Sequence, residues 1–85
     1  MTRPQEIRYE CLLQLYGSKE LPLSAAHMSR VARRQGFDFS ETEIREALFY
    51  LKGQRFCEEL VDPVTGEARH RITSQGMLQW EGRPS

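Results

Sequence analysis

Phe39-Ser40-Glu41-Thr42-Glu43-Ile44-Arg45-Glu46-Ala47-Leu48-Phe49-Tyr50-Leu51-Lys52-Gly53 is the stretch from which the rest of the chain can be read. Ser40 and Glu43 are spaced as a capping box, in which the serine hydroxyl accepts a free backbone N–H and the glutamate reaches back to the cap. Phe39 before the cap and Ile44 after it are placed as a hydrophobic staple. Ile44, Ala47, Leu48 and Leu51 then recur at i, i+3, i+4 and i+7, which predicts a helix with one buried stripe. Gly53 is expected to stop it. With that stripe inward, Thr42, Glu46 and Phe49 point outward, flanked by Arg45 and Tyr50.

Upstream, Ser24 is a good N-cap for a helix running to about Gln35, with Ala25, Met28, Val31 and Ala32 as its inner face. Gly36 has the place of a left-handed C-terminal stop, Phe37 returning over the helix end. Leu21-Pro22-Leu23 reads as a short extended piece, because proline disfavours helix in the residue before it. Residues Pro4 to Tyr16 predict a first helix, ended by Gly17-Ser18. Ile7, Cys11 and Leu15 form one stripe, and Tyr9, Leu12, Leu13 and Tyr16 lie on roughly the opposite side. A helix apolar on two sides is either sandwiched within its own domain or shares a face with a partner, which admits a homodimer through this helix.

Downstream, Phe56 to Val61 and Glu67 to Ile72 read as two strands joined by the turn Asp62-Pro63-Val64-Thr65-Gly66. Thr73 can cap a short closing helix through about Trp80, with Ile72 and Met77 as another staple. Residues 81–85 are expected to fray.

The 85 residues suffice for one domain over 1–85, its core about 6–80. No apolar run approaches a membrane span, and Met1 to Glu10 lacks a signal-peptide pattern, so a cytoplasmic location is expected. Cys11 and Cys57 are far apart and, with His27 and His70, give no metal-ligand spacing. They are expected to be reduced, buried hydrophobes, with no metal or other cofactor. Twelve Lys plus Arg balance twelve Asp plus Glu, so any basic surface has to be local.

Taken in order, a helix, a short strand, two helices about a turn, a two-stranded ribbon and a closing helix resemble a winged helix-turn-helix domain. Ser24 to Ala32, the turn at Gly36, the capped helix with Ala47, Leu48 and Leu51, and Phe56 opening the ribbon carry the resemblance. So does Ile72-Thr73-Ser74-Gln75-Gly76, similar to the hydrophobic-Thr-x-x-Gly step by which many members leave the wing. The implied fold is mostly α with a small β-ribbon: a three-helix bundle, a two-stranded wing and a short C-terminal helix.

The resemblance further implies that the third helix enters the DNA major groove, as a transcriptional or mobile-element regulator would. Thr42, Arg45, Glu46 and Phe49 would then face base edges. Ser24, His27, Arg30, Arg33, Arg34, Lys52, Arg69 and Arg71 would hold phosphates. Each group has a plainer reading beside this one. Arginines near the end of the second helix complement its dipole. Arg69 and Arg71 can answer Glu58 and Glu59 in a cross-strand ladder. Three glutamates on the third helix, the acidic turn residues Asp62 and Glu67, and an outward Phe49 favour the alternative, a winged helix used for protein–protein contact. No nucleophile–base spacing or phosphate loop is present, so no enzymatic activity is expected.

Overall fold

In the computed structural model, which describes residues 1–82, the capped stretch forms helix α3 over Glu41–Gly53. Glu43 N donates to Ser40 Oγ and Ser40 N donates to Glu43 Oε1, each at 3.1 Å, closing the capping box. Phe39, Ile44, Ala47, Leu48 and Leu51 are all buried. Around α3 stand α1 (Arg3–Ser18), β1 (Leu23–Ser24), α2 (Ala25–Arg34), β2 (Cys57–Val61), β3 (Ala68–Ile72) and α4 (Ser74–Glu81). The chain is thus mostly helical, with a small antiparallel sheet of order β1-β3-β2.

Helix α1 is longer at both ends than the apolar pattern predicts. Thr2 caps it with a second capping box, Gln5 N donating to Thr2 Oγ1 and Thr2 N to Gln5 Oε1. At the other end Gly17 and Ser18 remain helical, and the positive-φ residue is Lys19 (φ 41°), whose N–H bonds Leu15 O at 2.9 Å. One side of α1 is buried within the chain and the other is covered in part, Tyr9 and Leu13 remaining exposed. Ile7, Cys11 and Leu15 are buried in the core with the α3 stripe, and Trp80 of α4 packs against Tyr9 and Tyr16, ring centroids 5.2 and 5.9 Å apart. The Tyr16 hydroxyl donates to Glu81 at 2.7 Å, so Glu81 belongs to α4 and not to a frayed tail; residues 83–85 lie outside the described part.

Helix α2 is capped by Ser24, which accepts from His27 N. Its inner face is Ala25, Met28, Ser29 and Ala32, with Val31 only half-buried. Ser29 replaces the expected valine because its hydroxyl has a use there, donating to Phe39 O at 2.8 Å across the α2–α3 turn. Gly36 (φ 93°) ends the helix as predicted, with Phe37 N bonding back to Ala32 O.

The expected two-stranded ribbon is one part of a three-stranded sheet. The extended piece after Pro22 pairs with β3, Leu23 opposite His70 and Ser24 opposite Arg69, and so covers an edge that would otherwise be bare. On the other side Cys57 pairs with Ile72 and Val61 with Ala68. Between the strands, Asp62 Oδ1 accepts from Val64 N (2.8 Å) and Thr65 N (3.1 Å), and Gly66 takes φ 76°. These backbone N–H groups, Thr65 first, hold the Asp62 carboxyl below its usual range. The acid at the turn therefore has a structural job.

The α3–β2 link is fastened to the start of α4. Gly53 stays helical, and the left-handed residue is Arg55 (φ 65°), with Phe56 N reaching back to Leu51 O. Thr73 Oγ1 donates to Arg55 O at 2.6 Å and Thr73 N to Phe56 O at 3.1 Å. This brings Gly76 against the same Phe56 carbonyl, into which any Cβ would run. Gly76→Ala is expected to cost ~1–3 kcal/mol or more in urea denaturation, since backbone must move to admit the methyl. Gly17→Ala meets nothing within 4 Å and should instead stabilise by ~0.5–1 kcal/mol.

Candidate functional site

Helix α3 presents Thr42, Arg45, Glu46 and Phe49 to solvent, and Phe49 is 74% exposed. Two of the three glutamates on this helix are engaged. Glu41 pairs with Arg45 one turn later. Glu43, besides closing the cap, receives Arg3 Nε at 2.8 Å, while Arg3 Nη2 also reaches Asp38 Oδ1 at 3.2 Å. Arg3, and then the Ser40 N–H, hold the Glu43 carboxyl down at about 2. Glu46 makes no ion pair among the described residues.

A groove runs between the start of α2, the outer side of α3 and the β2–β3 hairpin. Ala26, Arg45, Phe49, Lys52, Glu59 and Glu67 are among its lining residues, two cations against two carboxylates. Lys52 Nζ sits 3.1 Å from Glu59 and 5.9 Å from the Phe49 ring centroid, tying α3 to β2 beneath the exposed phenyl. His70 forms part of the wall, is 8% exposed, and its Nδ1 has no partner. Burial pushes the imidazole pKa below its ordinary value, with Lys52 in the same direction and Glu59 opposing.

The cross-strand ladder forms in part. Arg71 pairs with Glu58 directly opposite, at 3.1 Å from Nε. Arg69 is opposite Leu60, so it pairs instead with Glu67 two residues back on its own side of the hairpin, at 2.8 Å. Ser24 spends its acceptor oxygen on the α2 cap, and His27 is half-buried beside it.

The contrast is α2. Arg30, Arg33 and Arg34 are exposed, and among the described residues no carboxylate lies within ion-pair distance of any of them. Positions 26, 30 and 33 fall at i, i+4 and i+7, one stripe of a helix. Ala26 lines the groove, so Arg30 and Arg33 continue the groove's α2 side with uncompensated charge.

Besides Ser29, Glu10 and His70 are buried polar residues, and spacing along the chain gives unequal notice of them. Glu10 is 3% exposed, and its Oε2 accepts from Gln14 Nε2 at 2.8 Å and Gln35 Nε2 at 3.1 Å, joining α1 to the end of α2. A signal existed: Glu10 and Gln14 lie three residues after Ile7 and Cys11 and so share their side of α1. His70 gave less, since a histidine in an alternating strand points to either face with equal ease. Both cysteines are free and buried as expected, and burial raises both thiols, Cys57 to about 11. Among the described residues no cluster has the makings of a metal site, and no helix is long and apolar enough to cross a membrane.

Comparison with family models, curated proteins and solved structures finds no match.

His70 and Glu43 mark separate pH windows for stability, with Asp62 adding to the lower one. His70 resists protonation in the fold, so stability is full above the unfolded value of about 6.5 and declines as pH falls through it. Glu43 stays ionised in the fold, so its contribution is full above about 4.5 and is lost as pH falls towards about 2. Urea midpoints measured across pH should show both declines. His70→Gln should lack the upper one and Glu43→Gln should flatten the lower.

Proposed function

We propose that this chain is a winged helix-turn-helix module that binds duplex DNA and has no catalytic role, as a transcriptional or mobile-element regulator would. In this reading α3 is the recognition helix, the β2–β3 hairpin is the wing, and α2 lies across the phosphate backbone. The observation that carries it is the unpaired Arg30 and Arg33 on the α2 stripe that borders the α3–hairpin groove. A chain with formal net charge of zero has few cations to spare for a polyanion, and three of them stand unpaired on this helix. The groove's own cations, Arg45 and Lys52, are held in exposed pairs, whereas Arg69 and Arg71 alternate with the groove-lining Ala68 and His70 and so stand on the opposite side of the hairpin. Such pairs are worth ~0–1 kcal/mol, so exchanging a carboxylate for a phosphate or a base edge costs little.

A second reading is supported by Phe49 and Glu46, an exposed phenyl beside an unpaired carboxylate on the same helix face. That combination also suits a protein partner, whose interface would centre on the aromatic.

Fluorescence anisotropy with a labelled mixed-sequence duplex, at about 50 and about 200 mM salt, tests the first reading. Affinity should fall steeply with salt. Replacing Arg30, Arg33 and Arg34 by alanine should weaken binding on every sequence and reduce the slope of log K against log salt by about three. Absence of binding at the lower salt would reject the DNA reading in favour of the protein-contact one.

A further inference from the structure

We propose that α3 reads the 5-methyl group of pyrimidines, with Phe49 as the residue that touches it. The inference rests on the DNA reading above and concerns what the face selects. Thr42, Glu46 and Phe49 fall at i, i+4 and i+7, a single exposed stripe along the helix. Its polar groups are few: the Thr42 hydroxyl and the Glu46 carboxylate, with Arg45 alongside in an exposed, exchangeable pair with Glu41. Glu46, unpaired, is an acceptor only.

Major-groove chemistry sorts the bases against such a face. Guanine offers the acceptors N7 and O6, which oppose a carboxylate, whereas cytosine offers the N4 amino group, which matches it. Phe49 has no polar atom, and the one apolar group in the major groove is the methyl at C5 of thymine, the position that 5-methylcytosine also carries. Glu46 and Phe49 are three residues apart, hence neighbours on the helix surface, and can meet the amino and methyl edges of adjacent or identical pyrimidines. Lys52 Nζ lies over the Phe49 ring at 5.9 Å from its centroid while paired with Glu59 of the hairpin. The unpaired Arg30 and Arg33 beside the groove supply the charge complementarity that selects a nucleic acid as occupant of this apolar face.

The experiment compares three duplexes of one mixed sequence: the natural one, one with deoxyuridine for every thymidine, and one with 5-methylcytosine for every cytosine. Binding by anisotropy at about 50 mM salt should be about fourfold weaker on the uracil duplex per methyl contacted, the transfer value of one methyl group, and stronger on the methylated one. Phe49→Ala, which removes an exposed side chain and leaves the core intact, should bind the thymine and uracil duplexes equally. Equal affinity of the wild-type protein for thymine and uracil duplexes would overturn the proposal without any variant. So would a Phe49→Ala protein that keeps the preference. Failure of all three duplexes to bind would instead remove the DNA reading itself, and this proposal with it.

Discussion

Burial of one side of α3 is the constraint on which the other features depend. Phe39, Ile44 and Leu48 are at most 1% exposed, and Ala47 and Leu51 nearly so. Each large side chain of this kind contributes ~1.5–3 kcal/mol on burial, whereas an exposed ion pair contributes ~0–1 kcal/mol. The rotation of α3 about its axis is therefore set by the core, and the surface charges arrange themselves around it. Once Ile44, Ala47, Leu48 and Leu51 face inward, the helical period leaves Thr42, Glu46 and Phe49 no choice but solvent.

Around that fixed helix, charge is sorted by element. Acids on or near α3 and the hairpin, Glu46 excepted, have local tasks: Glu43 closes a cap and receives Arg3, Glu41 holds Arg45, Glu59 holds Lys52, and Asp62 organises its turn. The arginines of α2 have none. A neutral total thus conceals a locally uncompensated helix. The face between α3 and the hairpin is a balanced surface on which shape and an exposed phenyl count for more than net charge.

The interior also carries polar anchors that apolar bookkeeping overlooks. Glu10 is satisfied by Gln14 and Gln35, which joins α1 to the end of α2, and Ser29 donates to the Phe39 carbonyl, which ties α2 to the turn before α3. Gly76 does comparable work by having no side chain: the close approach of the Phe56 carbonyl fixes α4 to the end of α3, and with it Trp80 over α1. These contacts cover the first stripe of α1 fully and the second in part, Tyr9 and Leu13 keeping an exposed edge.

The order of elements, the capping box of Ser40, the N-caps Ser24 and Thr73, the stop at Gly36 and the inward stripe of α3 were legible in the sequence, because each depends on residues within about two turns of one another, whereas the Thr2 cap of α1 was not read. Helix ends were less legible: Lys19 and Arg55 take the positive-φ positions two residues after glycines that remain helical, since the docking of the following segment, and not propensity, sets where the chain turns. The pairing of Leu23-Ser24 with β3, the partner of Arg69, the burial of His70 and Glu10, and the separation of paired from unpaired arginines were decided only by tertiary structure. All of these hinge on which distant residues meet, and spacing along the chain does not encode that.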